Sequence, residues 1–351
     1  MAKKRSKDEQ RLDYNAEIRL LREQGPKNLY LLYGPEDYLR EQYVTELKKR
    51  CLPEGEDSFS FKRLNGPELD ASELQQAIDA MPFLTDRSFV EIRGVDLNRV
   101  KEPETILALL KDIPEYCTVA LVQDTEFEPD GRLKLIKGIF EIGHRLQFNE
   151  QGQSALINWI ARRFAAVGKG IELEAAQRLI FVSGDLMSKL IPEIEKVAAY
   201  AKGDKVTVAD VEAVAHHLPE AVIFTMTDYI AEKKYNSAIS VLAELLGDKN
   251  NEPIAMLAML GMQMRRLYAA RLALDRGEDT RWLMKEYGIR SEYPARILMR
   301  SARGFSLPQL KRAVEICAET DYRIKSSGQD DRELLKEAVL RIAAGESNAQ
   351  A

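Results

Sequence analysis

Between residues 29 and 148 short apolar runs alternate with stretches of helical period. They are LYLLY, a helix over Asp37 to Arg50, FSFKRL, a helix over Ser72 to Met81, FVEIRGV, a helix near Glu104 to Leu110, TVALVQD, another near Arg132 to Phe140, and HRLQF. Strands separated by helices imply a mostly parallel sheet covered on both faces. From about Asn149 to His217 the strand pattern stops, and the chain reads as a small helical domain. There Thr207 followed by Asp210 resembles a capping start, and Gly168, Gly184 and Gly203 punctuate the helices. From about Leu218 onward amphipathic helices are expected at Ala221 to Lys233, Tyr235 to Leu246, Pro253 to Asp275 and Leu307 to Lys325. A last helix, ELLKEAVLRIAA, precedes a small polar tail expected to be disordered. The expected fold class is therefore α/β plus all-α, with an α/β domain at 1–148, a helical domain at 149–217 and a second helical domain at 218–351.

Several functional classes are excluded by composition. At 351 residues the chain exceeds what one ordinary core organises. No continuous apolar run is long enough to cross a bilayer, and MAKKRSKDEQR leads into an acid-bearing stretch with no apolar signal core. A cytoplasmic location follows as the expectation. Cys51, Cys117 and Cys317 are far apart and without CxxC spacing, which fits buried thiols in a reducing compartment better than a disulfide framework. The adjacent His216 and His217 point about 100° apart on a helix and cannot both grip one metal. No metal site, no cofactor and no nucleophile-and-base arrangement can be proposed.

The stretch LYLLYGPEDYLREQ has the layout of a phosphate-binding loop, a strand, a Gly-Pro turn and a helix. A working loop needs glycines whose N–H groups wrap the phosphates, a lysine for the terminal oxygens and a Ser/Thr for magnesium. After Gly34 this chain offers Pro35, Glu36 and Asp37 instead. Pro35 lacks an N–H, and the two acids place negative charge at the positive end of the following helix. A phosphate oxygen about 4 Å from such a carboxylate would be repelled by roughly 4 kcal/mol at an effective dielectric near 20. FVEIRGVDL and TVALVQD end in single acids, Asp96 and Asp124, without the paired acids of an ATPase strand.

Two further stretches stand out. In DASELQQAIDAMPFLTDR, Ser72 with Gln75 makes a capping box, and Leu74, Ala77, Ile78 and Met81 fall on one helical face. Pro82 stops the helix. Phe83 and Leu84 then lie outside the stripe, where they can be buried beneath the next strand or offered to a partner. From Arg265 to Arg312 twelve Lys/Arg face five acids in an otherwise acidic chain. Such asymmetry fits a nucleic-acid footprint, a solvated helix face or a surface for acidic neighbours.

Taken together, NLYLLYGPEDYLREQ, AMPFLTDRSFVEI, IFTMTDYIAEKKYNSAISVLAELL and ETDYRIKSSGQDDRELLKEAVLRI, in this order and spacing, resemble the delta subunits of bacterial DNA polymerase III clamp loaders, members of the AAA+ family. The resemblance implies an AAA+-like domain, a helical lid and a C-terminal collar. It implies a subunit without ATP hydrolysis that binds the ring-shaped sliding clamp (the beta subunit) and opens it or holds it open, in company with loader ATPase and delta-prime subunits and with primed DNA. It places clamp binding at a hydrophobic pair that matches Phe83 and Leu84, with Met81 and Pro82 beside it. It makes Gly34, Pro35, Glu36 and Asp37 a degenerate loop with no catalytic residue, and Arg265, Arg266, Arg290, Trp282 and Tyr287 candidates for DNA or subunit contact. Two readings of other classes stand beside it: an active ATPase with a divergent loop, marked by a nucleotide-dependent thermal shift, and a helical DNA-binding scaffold, marked by a steep salt dependence.

Overall fold

The computed structural model describes residues 12–53, 59–83, 85–289 and 291–345. The basic start of the chain and its polar end lie outside the described residues. The chain divides into two compact units, 1–152 with 185–191, and 153–184 with 192–351.

In the first unit α1 (Tyr14–Gln24) precedes β1 (Leu29–Tyr33), α2 (Asp37–Cys51), β2 (Phe61–Asn65), α3 (Ala71–Asp79), β3 (Ser88–Arg93), α4 (Pro103–Lys111), β4 (Cys117–Val122), α5 (Lys134–Ile142) and β5 (His144–Gln147). All five strands are parallel, in the order β2-β3-β4-β1-β5. Every residue of β1 and β4 is buried, which explains why they read as unbroken apolar runs: a strand covered on both faces has no polar side to alternate with. Leu31, Tyr33, Val90, Ile92, Val119 and Leu121 pack with α3, α4 and α5 into one core.

Four local expectations are corrected. Helix α3 is capped by Asp70, whose carboxylate accepts the Glu73 N–H at 2.8 Å, so the cap stands two residues before Ser72. The helix ends at Asp79, ahead of Pro82, so Met81 leaves the buried stripe of Leu74, Ala77 and Ile78 and is 80% exposed. Strand β2 begins at Phe61 rather than Phe59. In the stretch expected to be wholly helical, a two-stranded parallel pair appears, β6 (Gly170–Ile171) with β7 (Lys205–Val206).

The second unit surrounds that pair with α6 (Gln153–Ala166), α7 (Leu173–Ser183), most of α8 (Met187–Tyr200) and α9 (Val208–Val214), whose Thr207–Asp210 capping box is present as expected. There follow α10 (Pro219–Ala231), α11 (Tyr235–Gly247), α12 (Pro253–Arg276), α13 (Thr280–Tyr287), α14 (Glu292–Ser301), a 3₁₀ turn over Ala302–Gly304, α15 (Leu307–Ser326) and α16 (Asp331–Ala344). Their core is built from Leu257, Leu260, Met264, Leu298, Leu310, Ile316, Leu335 and neighbours. No helix among the described residues is long and apolar enough to cross a membrane. Cys51, Cys117 and Cys317 are all buried and unbonded, and burial raises the Cys51 thiol to about 11 and that of Cys317 to about 12.

Candidate functional site

The turn after β1 sits at the carboxyl end of a central strand, where ligands of open parallel sheets bind. Gly34 has φ 115°, and a Cβ there would come 2.5 Å from the Phe148 carbonyl oxygen, so only glycine fits. The groups a phosphate would need are already engaged. The Glu36 N–H donates to the Phe148 carbonyl at 3.0 Å, and Arg40 Nη1 donates to the Gly34 carbonyl at 2.6 Å. Glu36 precedes α2 but makes no side-chain cap bond to it. Its carboxyl is fully buried; one oxygen accepts the Met187 N–H at 3.3 Å, and the other has no partner.

Burial pushes the Glu36 carboxyl up from 4.5 to about 7, with Asp37 and Asp185 adding to the rise and the Met187 N–H opposing it. The sequence placed a free negative charge here; the structure places a carboxyl that favours its neutral form. Arg40 is buried as well, and burial lowers its pKa. A carboxyl whose folded pKa lies above its unfolded one holds an extra proton when folded, so it lowers stability as pH rises from 4.5 to about 7. Glu36→Gln removes that penalty and should stabilise the chain by about 2–3 kcal/mol near pH 8, and by almost nothing near pH 4. Thermal melts of both proteins at the two pH values check this; a variant less stable near pH 8 would refute it.

On either side of α3 the chain exposes large apolar side chains. Phe59 is 88% exposed, Met81 80% and Phe83 58%. The rings of Phe59 and Phe83 meet edge to face, 6.1 Å between centroids at 89°. Ser60, buried between them, holds the arrangement from below. Its Oγ accepts the Phe83 N–H at 2.9 Å, donates to the Phe83 carbonyl at 3.2 Å and lies 2.7 Å from the Thr85 hydroxyl. Its carbonyl accepts the Phe89 N–H at 2.8 Å, which ties the clasp to β3. Pro82 is half-buried, and Leu84 lies outside the described residues. Single exposed apolar residues are ordinary on a protein surface, whereas a contiguous group is a mark of interaction. Phe59 escaped the sequence reading because FSFKRL looked like one strand; the pairing of two phenylalanines around a serine was the only hint.

The C-terminal candidates are less unified. Arg265 is exposed on α12, while Arg266 beside it is half-buried, with its pKa lowered by that burial. Trp282 packs partly into the helical core and its ring stands 6.5 Å from that of Tyr287, which is exposed. No hydrogen bond or ring contact joins this pair to Arg265 or Arg266 among the described residues. Arg290 lies outside the described residues. No group of three or more His, Cys, Asp or Glu among the described residues is placed to hold a metal.

Comparison with known proteins identifies the family. A model of the DNA polymerase III delta subunit matches residues 30–126, and one of that subunit's C-terminal domain matches residues 220–342. The chain belongs to the DNA polymerase III delta-subunit family. The DNA polymerase III subunit delta of Bacillus subtilis is 24% identical over 324 residues, 89% of this chain and 91% of that protein. A probable DNA polymerase III subunit delta of Aquifex aeolicus is 22% identical over 325 residues, 89% of this chain and 90% of that protein. The solved Bacillus subtilis DNA clamp loader delta protein aligns over 94% of this chain and 99% of its own with a TM-score of 0.51 and 20% identity, which shows the fold. Both matched regions of this delta-family chain hold a feature described above: the filled turn and the aromatic patch fall within 30–126, and Arg265, Trp282 and Tyr287 within 220–342.

Proposed function

We infer that this delta-family chain is an accessory subunit of a clamp loader that binds the sliding clamp, the beta subunit, and opens its ring or holds it open without hydrolysing ATP. The observation that carries the reading is the exposed ring pair of Phe59 and Phe83, with Phe83 clasped by Ser60 and Met81 exposed two residues before it. Met81 and Phe83 stand within the stretch where clamp binding is expected through Met81, Pro82, Phe83 and Leu84, and Phe59 meets Phe83 from outside it. The turn at Gly34, Pro35, Glu36 and Asp37 supports a subunit without its own nucleotide, because the Glu36 N–H is bonded to the Phe148 carbonyl and the Arg40 guanidinium to the Gly34 carbonyl.

Assembly with loader ATPase and delta-prime subunits is assigned to the collar at 218–351, after an AAA+-like domain at 1–148 and a lid at 149–217. Helix α12 supports that assignment. No charged residue occurs from Pro253 to Met264, and Ile254, Ala258 and Met262 recur along an exposed face where a solvated helix would carry polar groups. Primed DNA would be met within the assembled complex, in the cytoplasm.

Binding energy biases a ring interface only by the difference in affinity for its open and closed states. A clamp variant trapped as a monomer should therefore bind this chain more tightly than the intact ring. Calorimetry of the full chain against ring, monomeric clamp and Mg-ATP tests the reading as a whole. Tighter binding of the monomer and no heat with Mg-ATP are expected. Equal affinity for both clamp forms would remove the ring-opening role, and micromolar Mg-ATP binding would restore the ATPase alternative.

A further inference from the structure

Helix α14 buries Tyr293, Ala295, Ile297 and Leu298 and turns Arg296 and Arg300 outward. They stand one turn apart, about 6 Å along the axis. Arg303, in the 3₁₀ turn that follows, continues the row and is exposed. The row does not stop at the end of the helix. A Cβ at Gly304 would collide with the Ala231 carbonyl, so the turn lies directly against the end of α10, where Lys233 and Lys234 follow. Arg300 reaches Asp228 on α10 at 3.7 Å, which fixes the two elements side by side. Lys233 takes a left-handed backbone conformation, φ 60°, uncommon for a residue with a side chain.

Few of these charges are neutralised. The side chains of Arg303 and Lys233 have no hydrogen-bond or ion-pair partner among the described residues. Arg296 donates to the uncharged Gln177 at 3.2 Å and lies over the Tyr293 ring. Lys234 pairs with Glu232 at 2.7 Å, and Asp228 is shared between Arg300 and the Ser301 hydroxyl. No large apolar side chain is exposed from 292 to 304 or from 228 to 234. A protein partner would meet an apolar centre within a polar rim, whereas a nucleic-acid backbone asks for spaced cations alone.

We propose that Arg296, Arg300, Arg303, Lys233 and Lys234 form a track for the phosphate backbone of DNA, read without regard to base sequence. This deepens the DNA partnership of the proposed function and assigns it to residues other than Arg265, Arg266, Trp282 and Tyr287. Each phosphate neutralised on a duplex releases counterions, so the logarithm of the binding constant falls with the logarithm of salt at about 0.9 per contact.

The test is fluorescence anisotropy of the clamp-loader complex reassembled around the full-length chain, with a labelled primer-template duplex, in salt raised from about 50 to about 200 mM. Replacing Arg296, Arg300 and Arg303 together by Gln should shallow the salt slope by about 2.7, and Lys233→Gln with Lys234→Gln, a separate variant, by about 1.8. Arg265→Gln with Arg281→Gln should leave the slope as it was. All these side chains are exposed, and circular dichroism confirms that each variant is folded. Should the triple variant fail to fold, the lysine pair reads the same track. An unchanged slope in both track variants, or an equal loss in the Arg265 and Arg281 control, overturns the proposal. So does loss of loader partners by the triple variant with its DNA slope intact, which would make the track a protein interface. Calorimetric binding of the clamp should be unaffected by the track changes, so failure here and failure of the clamp reading are separable.

Discussion

Phe59→Ser combined with Phe83→Ser should weaken clamp binding at least a hundredfold while the chain stays folded. The two rings are exposed in the free chain, so neither substitution opens a cavity in the core. Burying each on a partner contributes about 1.5–3 kcal/mol before association costs, and losing both exceeds the roughly 2.7 kcal/mol that a hundredfold change represents. Because the rings touch at 6.1 Å, the single changes should not sum to the double. Surface plasmon resonance on immobilised clamp gives all three values. An unaltered affinity in the folded double variant would take the patch out of the clamp interface.

Glu91→Gln should destabilise the chain by about 3–5 kcal/mol, because it strips the counterion from a buried charge. The Glu91 side chain is fully buried in β3; Lys48 reaches it at 2.8 Å and Arg63 at 3.0 Å, and Arg93 bonds it while also gripping Glu41 at 2.8 and 2.7 Å. Lys48 is itself nearly buried, with the Phe61 ring 4.9 Å from its ammonium. Burial pushes the Glu91 carboxyl up, yet the bonds from Lys48 and Arg93 outweigh it and hold the pKa below the ordinary value. The sign is therefore opposite to that of Glu36: this contribution is present above the unfolded carboxylate pKa and is lost as pH falls through the folded one. Urea unfolding near neutral pH measures the loss. A change below about 1 kcal/mol would show that the cations find other partners.

These two glutamates show what a sequence does and does not disclose. Strands β1 and β4 were legible because burial on both faces leaves an apolar run, and α10, α11, α12 and α15 because a 3.6-residue period survives whatever surrounds it. The start of α3 was misplaced because Asp70-x-x-Glu73 and Ser72-x-x-Gln75 overlap, and only backbone geometry says which oxygen meets an N–H. Whether Glu36 is a solvated cap or a buried acid depends on Met187, 151 residues away. Nothing in the run FVEIRGV shows that Lys48 of α2 and Arg63 of β2 converge with Arg93 on Glu91. Phe59 and the Arg303–Lys233 neighbourhood were hidden for the same reason. Each is made by two segments whose approach rests on a serine clasp or a glycine contact rather than on any local pattern.

The strand order also bears on how the molecule behaves in a crowded solution. A five-stranded sheet that does not close leaves two borders, β2 and β5, each with backbone groups able to recruit a stray strand. β2 displays Lys62 and Arg63 there, and β5 carries Arg145. Two copies approaching border to border meet charge of the same sign, and the strand addition that begins fibrous aggregation is discouraged at both ends of the sheet.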